Sequence, residues 1–378
     1  MNIFKTYFWL LIFISKFLFA QTVSLRKITK LPSQVSETSG IVAIDKSTFF
    51  TINDSGNEPK IYRIDTFGNV LKTIFIKNAV NIDWEDITQD QDSNLYIGDF
   101  GNNENTRTDL KIYKIKNPYK LSNDTSLAET INFYYPNQNL FPPPLNYKIF
   151  DAEAFISFNK YLYIFSKNNT SPFTGYTYLY KIPTKPGLYK AQLLDSFKTG
   201  EGLKELWWVT SAALSPDFKK LLLLSSNKIF AFSEFENDSF FRGKPKTIDL
   251  EFISQKEAIS FTDNDNFFIT DEYNSIFEGM NLYSGSLAEI YKTSVIGNLK
   301  NLVKKVNVGE NDSGITVYLA DLSFKIQIFL SDLSGRKIES GMLSKQNPSL
   351  NFEIPLGIYY ITLTDGTSYQ HLKFVKYK

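Results

Sequence analysis

One phrase recurs along the 378 residues and limits what the chain can become. An acidic residue, a small or polar spacer and an apolar run open segments at Glu37 (SETSGIVA), Glu85 (DWEDIT), Glu153 (DAEAFIS) and Glu257 (QKEAISF). A fifth copy, VTSAALSPD, carries Ser211 and Ala212 in those places. Each copy is followed by a second apolar run: FFTINDSG, LYIGDFGNN, LYIFSKNN, LLLLSSN and FFITDEYN. Self-similar β units at such a period signal a propeller or a solenoid. A propeller sets the same strand of every blade around one channel, so acids repeated on that strand converge in space.

Four short strands can be read in most copies, the number in a propeller blade. In the first they are GIVAI, FFTIN, KIYRID and VLKTIFI; in the second, ITQD, LYIGDF, LKIYKIK and TINFYY. The expected fold is all-β: a five-bladed β-propeller over residues 21–297, six-bladed if one copy is degenerate, then a small C-terminal β-sandwich. The early strand TVSLRKITKL is placed to close the ring as the outer strand of the last blade. The repeat stops near Asn298. The polar, basic stretch 298–313 reads as a linker. Residues 314–378 alternate with period two and turn at SGR, LGI and DGT, as a sandwich does.

The first twenty residues, MNIFKTYFWLLIFISKFLFA, have a basic start, a short apolar core and a small residue at Ala20. That is a signal-peptide pattern, and Lys16 breaks the run below membrane-spanning length. Composition narrows the chemistry. With 41 basic and 40 acidic residues there is no basic excess for nucleic acid. Without cysteine there is no thiolate metal site, disulfide or cysteine nucleophile, and the one histidine, His371, lies near the C-terminus. Zinc, haem and nucleotide are therefore not expected. Carboxylates and amides suit a hard ion such as Ca2+.

Two stretches resemble known families. IFLSDLSGRKI with Asp332, Gly335 and Arg336, LGIYYITLTDG with Gly357 and Tyr359, and the closing LKFVKY resemble the type A sorting domain of the type IX secretion system of Bacteroidetes. That family usually opens on Pro-Asn-Pro, where this chain has Val-Asn-Val at 306–308. The resemblance implies recognition of residues 314–378 by the type IX machinery, passage through the outer membrane, and a cell-surface or extracellular location. The N-terminal half carries Asn53-Asp54-Ser55-Gly56, Asp83-Trp84-Glu85-Asp86-Ile87, Gly98-Asp99-Phe100-Gly101-Asn102-Asn103 with Arg107, and Asp151-Ala152-Glu153-Ala154. These motifs resemble secreted bacterial propellers, SdiA-regulated-like or phytase-like in appearance. Members usually have Asp where this chain has Asn102.

The acids Glu37, Glu85, Glu153 and Glu257 are the candidate metal ligands. Like charges at close range need a cation or a basic partner. The bland reading makes each acid a hydrogen-bond acceptor for the next blade's backbone. Asn53, Asp54, Asp86, Asp99, Asn102, Asn103, Asp271 and Glu272 are candidate ligand-binding residues, because most of them follow the second apolar runs at similar offsets. Strand alternation sets Asp83 and Glu85 on one side and Asp86 on the other. The leading expectation is a ligand-binding or scaffold propeller with a small-molecule, glycan or protein ligand. One alternative is a metal-assisted hydrolase of phosphate or ester substrates, with Glu85, Arg107 and Lys167 as catalytic candidates. Another is a docking subunit of an envelope complex. Trp84, Trp207 and Trp208 are expected in the core rather than on a glycan face.

Overall fold

The computed structural model describes residues 21–275, 278–291, 306–310, 314–319, 326–332, 336–344, 346–364 and 369–376. The signal-peptide reading of residues 1–20 and most of the linker reading fall outside them. Among the described residues no helix is long and apolar enough to cross a membrane. The chain forms two compact units, the first ending at Ala288 and the second beginning at Glu289.

The first unit is built from five sheets, each an antiparallel meander starting at one of the repeated phrases. Their innermost strands are Thr38–Ala43, Trp84–Gln89, Asp151–Phe158, Ser211–Leu214 and Lys256–Phe261. These five strands touch one another in cyclic order, the last returning to the first. That ring of sheets about a common axis is the propeller arrangement. The repeated apolar runs supply second strands such as Thr48–Asn53, Leu95–Asp99 and Tyr161–Lys167.

The core lies between blades rather than along the axis. Val42, Phe50, Ile61, Trp84, Ile97 and Tyr113 fill the gap between the first and second sheets. Phe100, Phe133, Tyr135, Phe155, Ile164 and Tyr180 fill the next, with Phe100 edge-on to Phe155 at 5.2 Å. Burying each such side chain is worth about 1.5–3 kcal/mol, which explains the 33 Phe and 22 Tyr. Trp84 is fully buried there, as expected, with its indole N–H donating to the Val80 carbonyl at 3.2 Å. Gly40 is required where the first two inner strands meet: a Cβ there would stand 2.6 Å from the Ile87 nitrogen.

Four of the five sheets end on strands borrowed from elsewhere; the third ends on its own fourth strand, Gln192–Lys198. Arg26–Lys30 pairs antiparallel with Asn281–Ser286 and so completes the fifth sheet, as the sequence suggested. Gln21–Val23 adds a parallel strand to the edge of the fourth sheet, Thr125–Ser126 to the first, and Gly187–Lys190 to the second.

The second unit, considered alone, has two antiparallel sheets. One contains Val306–Glu310, Gly314–Leu319 and Ser349–Glu353; the other contains Lys337–Leu343, Ile326–Asp332, Gly357–Thr364 and Tyr369–Lys376. Ile315, Val317, Ile328, Leu330, Phe352, Tyr359 and Ile361 form one cluster drawn from both sheets, as in a sandwich. The unit starts earlier than residue 314: Val306–Glu310, inside the stretch read as a linker, is a strand paired with Gly314–Leu319. Its alternation is only five residues long and is masked in sequence by the flanking polar residues.

Candidate functional site: an acidic well at one mouth of the channel

A local irregularity aims the acids. Near its start, the ladder of four inner strands contains a register shift, at Thr38/Gly40, Trp84/Asp86, Ala152/Ala154 and Lys256/Ala258. The residues left out of register are Ser39, Glu85, Glu153 and Glu257. A bulge frees one residue from strand alternation and re-aims its side chain. The fourth blade has no such shift, and Ser211 pairs directly with Leu224.

Glu85, Glu153 and Glu257 therefore meet at the mouth where the inner strands begin. Each is held above its ordinary pKa, first by burial; Lys167 pulls Glu153 and Glu257 part of the way back, and Glu257 stands at about 7. Glu85 feels Glu153, Asp54, Asp83 and Asp151. Asp83, pushed up to about 6, and Asp151, also raised, lie two residues ahead of the bulge acids. Asp54 and Glu272 arrive from the ends of second strands, Glu272 at about 10, burial again being the first cause. Carboxylate oxygens of Asp54, Asp83 and Glu85 all lie within 4.8 Å of one another.

Lys167 is the cation of the well. It pairs with Glu153, and its ammonium sits 4.3 Å from the centre of the Trp208 ring. Burial pulls its pKa down, but Glu153, Asp151 and Glu257 outweigh burial and hold it up. The second oxygen of Glu153, Oε2, is buried with no hydrogen-bond partner, although the residue is only 5% exposed. Gly101 floors the well: a Cβ there would lie 2.1 Å from Glu85 Oε1 and 2.4 Å from Asp83 Oδ2. An all-oxygen donor set, an orphaned carboxylate oxygen and a glycine floor fit a hard divalent cation such as Ca2+, held by Asp54, Asp83 and Glu85 with Glu153 beside them.

Glu37 sits at the edge of this group, where its charge still reaches Asp54 and Glu272. It is exposed on the rim, where Glu37 Oε2 accepts from Asn57 Nδ2 at 2.5 Å, and Ser39 occupies the bulge position in its blade. The other candidates divide by what already holds them. Asp99 accepts from Arg107 Nη2 at 2.9 Å and from the Asp83 amide at 3.1 Å. Arg107 is further occupied by Asp109 at 3.0 Å and the Gly101 carbonyl at 2.9 Å. Asn102 ties the second blade to the third, its amide N–H donating to Asp151 Oδ1 at 2.7 Å and its side chain to the Phe150 carbonyl at 3.1 Å. Asn53 donates to the Gln34 carbonyl at 2.8 Å, and Asp271 accepts from Asn281 and Tyr283. Asn103 is exposed beside Asn169.

Asp86 lies below the mouth, inside the channel. Its carboxylate accepts from the Ile87 amide at 2.9 Å, the Phe155 amide at 3.2 Å and Ser211 Oγ at 3.4 Å. It thus satisfies inner-edge groups of three blades, the role the bland reading gave to the repeated acids. Ser39 does the same for the Glu85 carbonyl at 2.7 Å, and Ser260 for the Ala43 amide at 3.0 Å. At the far mouth is a separate cavity of about 680 Å3, lined by Gln89, Asp92, Lys114, Lys160, Ser215 and Phe261 among others and remote from the carboxylates.

Sequence reasoning set Asp83 on one side with Glu85 but counted neither Asp83 nor Asp151 among the site residues, and placed Trp208 in the core. The signal for the two aspartates was present: each stands two residues before a bulge glutamate.

No protein family matches this sequence, and no curated protein matches it. Solved structures do resemble the fold. The PQQ-bound aldose sugar dehydrogenase of Streptomyces coelicolor is 8% identical with a TM-score of 0.42, over 70% of this chain and 98% of that one. A gluconolactonase of Xanthomonas campestris is 13% identical with a TM-score of 0.36, over 67% and 74%. PorZ, a surface component of the type IX secretion system of Porphyromonas gingivalis, is 8% identical with a TM-score of 0.33, over 90% of this chain and 45% of that one. The class of protein defined by the sheets themselves is an all-β propeller joined to a second all-β unit, and none of these likenesses assigns it a ligand.

Proposed function

We propose that this chain is an exported binding propeller that holds a divalent cation, Ca2+ in the first instance, in the acidic well. One observation carries the reading: seven carboxylates from four blades crowd around a single ammonium, and Glu153 Oε2 is left buried without a partner. A bound cation would take up that oxygen and relieve the repulsion that raises Glu85 and Glu257. The test is calcium titration of the melting temperature of the full chain, beside the Asp83→Asn/Glu85→Gln variant. The expected result is a rise on adding calcium that chelator reverses and the variant lacks. Identical melting in calcium and chelator, with no ion in metal analysis, would overturn the reading.

The hydrolase alternative needs an electrophile free to meet substrate. Arg107 is engaged by Asp99, Asp109 and Gly101, and Lys167 by Glu153, so no observation favours it.

The C-terminal unit completes the proposal as the sorting signal for the type IX machinery, supported by the IFLSDLSGRKI and LGIYYITLTDG motifs. Removing residues 314–378 should leave the protein inside the producing cell; unchanged release would refute that part alone.

A further inference from the structure

The acidic mouth has a second property. Antiparallel topology sends every blade-to-blade crossing, and every loop after a second strand, to the face where the inner strands begin. Those loops expose large apolar side chains around the well: Ile82 from the first crossing, Phe141 and Leu145 from the second, Leu203 from the third, Ile253 from the fourth, and Tyr273 after the last second strand. Their exposures run from 42% to 70%. The described connections of the opposite face expose fewer: Phe67, Leu127 and, in the short strand Gly187–Lys190, Leu188. Scattered exposed leucines need no explanation, but apolar side chains gathered on one face around a charged centre mark an interaction surface.

We propose that this face docks a second protein presenting a lysine or arginine within an apolar stretch. The cationic side chain enters the well and the flanking apolar residues rest on the rim. Charge complementarity selects the occupant: the well offers a cation Glu153 Oε2, which is buried without a hydrogen-bond partner. Lys167, lodged between Glu153 and the Trp208 face, shows within the chain that this mouth accommodates a cationic side chain. A central charged anchor with an apolar surround is the usual layout of an interface hot spot. The proposal does not rest on the divalent cation: a guest ammonium or guanidinium and the ion would compete for Glu153 Oε2, so the guest is expected to bind best when the ion is removed.

The experiment is selection of a displayed random heptapeptide library on the full-length protein, run once in calcium and once in chelator. The expected outcome is enrichment, in the chelator arm, of sequences with Lys or Arg between apolar residues. Replacing that Arg by citrulline should weaken a selected peptide at least tenfold. The exposed double variant Leu203→Ser/Ile253→Ser should weaken it comparably while melting as the parent does. Enrichment of acidic or uncharged sequences, equal selection on the double variant, or concentration-dependent self-association that hides the face would each overturn the proposal. Calcium-dependent melting, read on the same preparation, reports on the cation site separately.

Discussion

Lys167 closes a buried ion pair on Glu153 and leaves that carboxylate's second oxygen without a partner. The pair is internal to the third blade, since Asp151–Phe158 and Tyr161–Lys167 are neighbouring strands. Removing one member of a buried pair costs about 3–5 kcal/mol, because the other charge stays uncompensated. Lys167→Met should therefore lower unfolding free energy by about that amount, and the double variant Lys167→Met/Glu153→Gln should recover much of it. Denaturant titration of the three proteins gives the answer. Equal loss in single and double variants would show that the pair does not act as a unit.

Gly101 should prove the most sensitive small residue of the well. Gly101→Ala places a methyl against Glu85 and Asp83. Overpacking of this kind costs about 1–3 kcal/mol of stability. Displacement of two donor oxygens should raise the calcium midpoint at least tenfold, about 1.4 kcal/mol. A normal midpoint would place the cation elsewhere.

Acidity has a definite sign here. Asp83 at about 6, Glu257 at about 7 and Glu272 at about 10 keep their protons in the fold at pH values where the unfolded chain has lost them. Between the unfolded and folded pKa the native state binds more protons, so stability falls as pH rises. Melting in chelator should drop from about pH 5 to about pH 9, and calcium should restore more of it at the alkaline end. A curve rising over that range would mean the acids are compensated by something other than protons.

Asp86→Ala separates frame from site. It strips a shared acceptor from Ile87, Phe155 and Ser211. Each buried donor left unpaired costs about 1–3 kcal/mol, so a loss of about 3 kcal/mol or more is expected. The calcium-induced rise in melting temperature should persist in the variant. Its disappearance would make Asp86 part of the site.

The repeat was legible because hydrophobic runs and turns keep their order in every blade, and the fold follows from that order. The site was legible only to within a bulge. A periodic reading aligns Glu37 with Glu85, but the extra residue in the first strand is Ser39, so one glutamate falls on the rim. No shared residue type marks the bulge: its flanks are Thr38 and Gly40, Trp84 and Asp86, Ala152 and Ala154, and Lys256 and Ala258. Asp86 and Asn102 were noticed for their chemistry, and only coordinates reveal that the backbones of other blades already occupy them. Trp208 was assigned to the core by size; its position over Lys167 depends on a contact between distant segments that sequence does not record.

The strands Gln21–Val23 and Arg26–Lys30 finish the outer edges of the fourth and fifth sheets, which are made last. Synthesis in order therefore yields no complete intermediate: the opening segment must wait, unpartnered, for more than two hundred residues before its own hydrogen bonds can form. A chain delivered lengthwise through a narrow passage would reach the other side still unlocked and latch only when its beginning met its end.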